Sequence, residues 1–163
     1  MDLKDEIARI AEQERRLQLP RYDEAVAWTL GTRLKEAAAA LRLPLTIELR
    51  LARETVFFHA MPGTSPANAD WARRKRNTVE LMQRSSYGVG RWLDLDGSSL
   101  ESRMGLPPRD YASHGGSFPL RLAGGACVGT VTVSGAPQRQ DHALVVELLA
   151  EWCGVPLADV ALD

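Results

Sequence analysis

Residues 115–146, GGSFPLRLAGGACVGTVTVSGAPQRQDHALVV, decide the fold of this chain. Two apolar runs, at 118–122 and 127–133, flank a glycine-rich turn, and this pattern predicts a β-hairpin. Beyond Ser134 and Gly135 the apolar period becomes helical, so a helix is expected from about Gln138. The second strand therefore runs into a helix across a glycine elbow. There the first helical turn leaves backbone N–H groups free for an anion or a carbonyl.

The rest of the chain predicts three more helices and a second hairpin. Helical spacing of apolar residues indicates helices over 3–18, 23–41 and 70–85, and alternation indicates paired strands over 45–52 and 55–60. The glycine- and proline-rich region 86–114 predicts a strand at 89–95 and one or two helical turns at 98–104. This order predicts one domain over residues 1–163. Its first helix is expected to pack on the body of the domain or on a neighbouring subunit.

Composition excludes several classes of function. The 163 residues include 45% hydrophobic and 25% charged residues, which suits one domain with an ordinary core. A net charge of −1 argues against nucleic acid or a membrane surface as the main partner, and no apolar run is long enough to span a bilayer. The two cysteines form no CxxC pair. We therefore expect buried thiols in a cytoplasmic protein.

Three histidines are candidate functional residues, although their spacing predicts no metal site. His59 follows two phenylalanines at a strand end, where it could face a flat aromatic ligand or simply finish the sheet. His114 precedes a glycine pair in a loop, where the backbone can approach a ligand closely. His142 follows Asp141 in the first turn of the last helix. These two form a candidate acid–base pair, or Asp141 is only a cap.

The helix predicted at 70–85 carries basic residues that we place on its outer face. This set comprises Arg73, Arg74, Lys75, Arg76 and Arg84. It could hold a phosphate or the carboxylates of a tetrapyrrole, or it could be a solvated face or a subunit contact. The sequence has no GxSxG elbow, phosphate-binding loop or GxGxxG motif, which argues against a serine hydrolase or a nucleotide-binding protein.

Two groups of motifs carry a family resemblance. The first is Gly115-Gly116-x-Phe-Pro followed by Gly129-Thr-Val-Thr-Val-Ser-Gly-x-Pro-Gln-x-x-Asp-His. The second is Asp70-Trp71-x-x-Arg-Lys-x-x-Thr-Val, with Ser85-Ser86 further on. Together they resemble the haem-degrading domain superfamily, also called GlcG/HbpS-like, and most closely its cytosolic, largely uncharacterised branch.

The resemblance implies a fold and a range of functions. The fold would be α+β, a profilin-like antiparallel sheet of about five strands flanked by helices. Members form symmetric, often ring-like homo-oligomers, and some bind haem, with slow haem breakdown ascribed to them. Related domains are attached to cobalamin-pathway enzymes, and a yeast relative is associated with protein-targeting chaperones. The haem-binding branch often has Asp-Glu where this chain has Asp141-His142, so the resemblance transfers no iron ligand.

Three functional hypotheses follow from the residues and the resemblance together. The first is a homo-oligomeric small-ligand-binding protein, with haem or another tetrapyrrole as the candidate ligand. The second is an adaptor or assembly protein that contacts a protein partner and binds no small ligand. The third is a weak acid–base enzyme using Asp141 and His142. The candidate ligand-binding residues are His59, Arg74, Lys75, His114, Gly115, Gly116, Ser134, Gly135, Asp141 and His142.

Overall fold

A computed structural model describes all 163 residues, which form six helices and five strands. The helices are α1 (Leu3–Arg16), α2 (Glu24–Ala40), α3 (Pro66–Met82), α4 (Ser86–Asp96), α5 (Leu100–Met104) and α6 (Gln138–Cys153). The strands are β1 (Gln18–Leu19), β2 (Thr46–Leu51), β3 (Glu54–Ala60), β4 (Ser117–Leu122) and β5 (Cys127–Ser134). A short 3₁₀ turn at Leu157–Asp159 follows α6.

The five strands form one sheet in the order β1–β4–β5–β2–β3. Both predicted hairpins are present, β2 with β3 and β4 with β5, and β5 pairs antiparallel with β2 at the centre. The α+β class and the five-stranded sheet flanked by helices are thus confirmed. The difference lies in β1, which pairs parallel with β4 and makes the sheet mixed. Gln18 was expected within the first helix and Leu19 just beyond it, whereas the helix ends at Arg16.

One face of the sheet carries the apolar core. A cluster of 23 buried hydrophobic residues fills the space between this face and helices α2 and α6. Alternate residues of the central strands point into it, among them Ile47 and Val131. A Cβ placed on Gly31 of α2 would lie 2.5 Å from the ring of Phe57 on β3. The glycine therefore permits a close crossing of helix and strand.

The other face of the sheet is polar and lies under α3. Glu48 of β2 accepts a hydrogen bond from Arg76 at 3.0 Å, and Arg50 lies 3.3 Å from Glu80. Thr46, Thr130 and other polar residues of β2 and β5 are buried on this side. Although β2 alternates apolar and polar residues, both of its faces are buried over its first four residues, because α3 covers the polar face.

The region between α3 and β4 is more helical than its composition suggested. Residues 89–95, expected as a strand, belong to α4, whose first turn is capped by the Ser85 hydroxyl. Val89 and Leu93, four residues apart, pack with Leu100 in a small second cluster. The expected helical turns at 98–104 are present as α5, capped by Ser99.

Hydrogen bonds hold the N-terminal helix α1 against the rest of the chain. The Tyr87 hydroxyl donates to Glu6 at 2.9 Å, and the Gln13 amide donates to the carbonyl of Val160 at 2.7 Å. These bonds fix α1 beside α4 and the end of the chain. None of the six helices combines the length and the apolar character that crossing a bilayer requires.

Candidate functional site

A cavity of about 250 Å³ lies where the start of α3, the loop before β4 and the turn between β5 and α6 meet. We call it the elbow cavity. Its lining comprises Asn68, Trp71, Lys75, His114, Ser134, Gly135, Ala136, Gln138 and Asp141. Five of these nine are among the candidates chosen from the sequence, namely Lys75, His114, Ser134, Gly135 and Asp141. The structure brings those five together.

A buried ion pair forms one wall of the cavity. The Lys75 ammonium donates to an Asp141 carboxylate oxygen at 3.0 Å and to the carbonyl of Val133 at 3.2 Å. The two residues are only 4% and 1% exposed. Burial lowers the pKa of Lys75 and raises the pKa of Asp141, while the charge of each partner opposes the other's shift. Lys75 therefore does not belong to the outer basic face on which the sequence analysis placed it.

Asp141 also holds the elbow between β5 and α6 in shape. Its carboxylate accepts hydrogen bonds from the backbone N–H groups of Gly135 at 3.4 Å and Ala136 at 3.1 Å. These donors precede α6 and have no acceptor in the helix. The side chain thus satisfies the elbow and connects it to α3 through Lys75.

The glycine pair before β4 admits neighbouring backbone rather than a ligand. Gly116 has a φ of +129°, and a Cβ there would lie 2.4 Å from the carbonyl oxygen of Val133. A Cβ on Gly115 would lie 2.2 Å from the carbonyl oxygen of Gln138. Neither glycine lines the elbow cavity. The expectation that they let a ligand approach the backbone was therefore wrong, since the chain itself occupies that space.

Gly116→Ala is expected to destabilise the protein more than Gly124→Ala. Both glycines have positive φ, which costs a residue with a Cβ about 1–2 kcal/mol. At Gly116 the new Cβ would also clash with backbone, and such overpacking costs about 1–3 kcal/mol more. At Gly124 there is no clash, because no atom lies within 4 Å of a Cβ there. Urea unfolding of both variants measures the difference. Equal losses would contradict the packing role of Gly116.

His114 stands at the mouth of the cavity. Its exposed ring packs edge-on against Trp71, with ring centroids 4.9 Å apart, and makes no hydrogen bond within the chain. Partial burial lowers the pKa of His114, and the positive charges of Lys75 and Arg74 lower it further. The imidazole is therefore neutral near pH 7, and both ring nitrogens are free of protein partners.

The arginines of α3 bind the chain itself. Arg74 donates to the carbonyl of Pro108 at 3.0 Å and stacks on Trp71 at 4.3 Å, and Arg73 pairs with Asp110 at 2.9 Å. These bonds fasten the loop before β4 onto the helix. Most of the basic side chains that were expected to face solvent or a ligand are therefore bound to other residues of the chain. Arg74 lines a second hollow of about 210 Å³, which shares His114 with the elbow cavity.

The other two histidines lie away from the cavity. His142 is fully buried, with its Nε2 2.8 Å from the amide oxygen of Gln13 and its ring beside Tyr87. Desolvation, reinforced by the charge of Arg139, lowers the pKa of His142 to about 3. The expected acid–base pair of Asp141 and His142 is not formed, because Asp141 binds Lys75 and the elbow whereas His142 binds Gln13. His59 lies on the edge strand β3, opposite Ile47.

The sequence analysis missed four lining residues, namely Asn68, Trp71, Ala136 and Gln138. Asn68 was missed because α3 was expected to begin at Asp70, whereas Ser65 and Asn68 form a capping box four residues earlier. The spacing Ser-Pro-Ala-Asn is itself a helix-start signal and could have revealed it. Trp71 and Gln138 were part of the motifs that carry the family resemblance.

Comparison with known proteins places this architecture in a family. The sequence model described as "Haem degrading protein HbpS-like" matches residues 23–150, most of the chain. The protein belongs to the HbpS-like family. The UPF0303 protein of Azotobacter vinelandii is 52% identical to this HbpS-like protein over 163 residues, covering 100% of this chain and 98% of the relative. The UPF0303 protein of Serratia proteamaculans is 46% identical and covers 98% and 99%.

Solved structures share the fold at low sequence identity. The Ybr137w protein has a TM-score of 0.84 at 23% identity, covering 94% of this chain and 88% of that chain. A PduOC:Heme complex has a TM-score of 0.63 at 21% identity, covering 76% and 89%. HbpS has a TM-score of 0.63 at 19% identity, covering 82% and 91%. Because these identities are low, the likeness establishes the fold of this HbpS-like protein and no more.

Proposed function

We propose that this protein binds a small ligand at the elbow cavity, with haem or a related tetrapyrrole as the ligand and His114 as the residue that meets its metal. The observation that carries the proposal is that His114 is the one histidine lining the cavity. The protein's membership in the HbpS-like family and its structural likeness to a protein solved with haem support the choice of ligand.

The residues present suit coordination of an iron atom at an open surface better than enclosure of a whole tetrapyrrole in a pocket. A neutral imidazole with free ring nitrogens is a common metal ligand, and burial and neighbouring charge keep His114 neutral. The cavity of about 250 Å³ is smaller than the roughly 300–1,000 Å³ that usually encloses a ligand. A tetrapyrrole would therefore be held at an open surface around His114. Haem would supply the redox-active iron, while the protein would supply the ligand and the surrounding charges.

Self-association in the cytoplasm is part of the same proposal. Trp28 on α2 and Phe58 on β3 are 65% and 50% exposed, an unusual exposure for large apolar side chains on neighbouring elements. Phe57 packs against Trp28, so its neighbour Phe58 points to the other face of β3, and a contact between copies along this sheet edge would cover both exposed rings. Both cysteines are free thiols, which suits a reducing compartment.

Haemin titration tests the proposed ligand. Wild-type protein is expected to give a sharp Soret shift, and His114→Ala is expected to bind at least about tenfold more weakly because the metal loses its imidazole. His59→Ala is the matched control, since it removes an imidazole from the edge strand and should leave the titration unchanged. His142 is unsuitable for this test because its ring is part of the buried structure.

Two results would contradict the proposal. A featureless titration of the wild-type protein would remove haemin as a ligand. A Soret shift that His114→Ala leaves intact would move the metal contact to another residue. Light scattering on the same samples reports whether the protein self-associates.

A further inference from the structure

We infer that the floor of the elbow cavity is a carboxylate-binding subsite, formed mainly by groups that donate hydrogen bonds. The inference deepens the proposed function, because it names the chemical group that this cavity takes. It concerns residues that the sequence analysis did not select, above all Asn68 and Gln138.

Two side-chain amides present their NH₂ groups rather than their oxygens. The Asn68 oxygen accepts the backbone N–H of Ser65 at 3.0 Å, and the Gln138 oxygen accepts the backbone N–H of Gly115 at 3.1 Å. A backbone N–H can be satisfied only by the amide oxygen, so these bonds fix how each amide is turned. Both residues line the cavity with an NH₂ group that has no partner in the chain.

The only negatively charged acceptor of the cavity wall is already in use. Asp141 is the only carboxylate in the lining, and it accepts from Lys75, Gly135 and Ala136. The Lys75 ammonium has three N–H donors, of which Asp141 and the carbonyl of Val133 take two. The wall therefore retains donor capacity while its acidic group is neutralised.

Ser134 is an independent sign of a ligand. It is only 4% exposed and lines the cavity, yet its hydroxyl makes no hydrogen bond to any other residue. The hydroxyl is reachable from the cavity, so a ligand or a water molecule there can bind it. Ser134 lies at the end of β5, next to the elbow that leads into α6.

The first turn of α6 adds to the same donor set. The earliest backbone bonds of this 16-residue helix are donated by Gln140 and Asp141 to the carbonyl of Pro137. The N–H groups of Gln138 and Arg139 are therefore unpaired, and the helix dipole favours negative charge beside them. A helix start alone would not define a site. Here it meets the Ser134 hydroxyl and two oriented amides.

A group that accepts several hydrogen bonds and donates none is the complement of this lining. A carboxylate has this character, and its charge strengthens each bond. The cavity volume of about 250 Å³ suits a short carboxylate-bearing fragment. That fragment is either a propionate side chain of a tetrapyrrole or a free small carboxylic acid, and the experiment below separates these sources.

Isosteric substitutions test the subsite. Gln138→Glu and Asn68→Asp keep the oxygen that accepts the backbone N–H but replace the free NH₂ with a second oxygen. We expect each to weaken carboxylate binding about tenfold or more, since a charge-assisted bond becomes a repulsion. Gln140→Glu is the matched control. It makes the same charge change in the same helical turn, but its side chain is exposed and lies outside the cavity.

Two ligand arms complete the experiment. In the first, acetate is titrated into ¹⁵N-labelled protein, and the side-chain NH₂ resonances of Asn68 and Gln138 are followed. In the second, haemin is compared with haemin dimethyl ester, which lacks free carboxylates. Acetate-induced shifts that both cavity variants weaken and Gln140→Glu does not would support the subsite. Weaker binding of the ester than of haemin would identify the propionate as the occupant of the subsite. Equal binding of the two would identify a free acid.

The inference and the proposed function can fail separately. If haemin binds through His114 while acetate moves neither resonance and the ester binds equally well, the subsite is overturned and the haem proposal stands. The subsite would also be overturned if Gln138→Glu and Asn68→Asp bound acetate as tightly as Gln140→Glu does. If acetate binds as expected and haemin does not bind, the subsite stands without the tetrapyrrole.

Discussion

Lys75→Met is expected to lower the free energy of unfolding by about 3–5 kcal/mol, the cost of removing one partner from a buried ion pair. Asp141 would stay buried with two backbone donors but without a cation. Burial already raises the pKa of Asp141 and Lys75 counteracts that rise, so the loss of Lys75 raises it further. Urea unfolding followed by circular dichroism measures the change.

A double-mutant cycle separates the pair from the two side chains. Asp141→Asn removes the charge and keeps an oxygen for only one of the two elbow N–H groups, because Gly135 and Ala136 donate to different carboxylate oxygens. It is therefore expected to cost a similar amount. The double variant should cost less than the sum of the singles, by about 1 kcal/mol or more, because no unpaired charge remains. Arg15→Met breaks an exposed pair with Glu12 and should cost far less than Lys75→Met. Additive single effects, or a Lys75→Met loss no larger than this control, would contradict the prediction.

The second large effect is a loss of stability in acid that depends on His142. This imidazole stays neutral in the folded protein down to a pH of about 3, whereas its ordinary pKa is 6.5. As the pH falls below 6.5, the unfolded chain takes up a proton that the folded chain does not. The free energy of unfolding therefore falls by up to about 1.4 kcal/mol per pH unit, and the loss ends near pH 3.

His142→Gln isolates this contribution, because glutamine can donate to the Gln13 oxygen and does not titrate. Carboxylates contribute equally to the wild-type protein and the variant. The difference between their stabilities, measured by urea unfolding from pH 7 to pH 4, should therefore shrink or reverse as the pH falls. Parallel pH profiles would show that His142 is not held neutral by the fold.

Helix phase could have corrected two of the site assignments. In the helix predicted at 70–85, the apolar residues Trp71 and Val79 mark the inner face, and Lys75 stands four residues from each. It therefore belongs to that face, where the structure buries it. His142 likewise precedes the core residue Val145 by three positions. In both cases, the helical period predicts where the side chain lies better than its chemistry does.

Region 86–114 shows why local composition misleads. Its glycines and prolines indicated loops and a strand, but Gly88 and Gly90 lie inside α4, where neighbouring groups leave no room for a side chain. A Cβ on Gly90 would lie 2.2 Å from the carbonyl oxygen of Ser113. The glycine therefore reflects close approach of the loop before β4, which only the folded chain reveals.

Local patterns predict the two hairpins, the turn from β5 into α6 and the α+β class, because these depend on contacts between neighbours along the chain, and the motifs predict the family. Which polar groups meet depends on tertiary packing, which pairs Lys75 with Asp141, places the His142 ring against Gln13, and leaves Ser134 and two amide NH₂ groups facing one cavity. Here α3 packs on the sheet and α1 packs on α4, and each brings a side chain to α6. The paired residues lie 66 and 129 positions apart in the sequence, so no local pattern predicts these contacts.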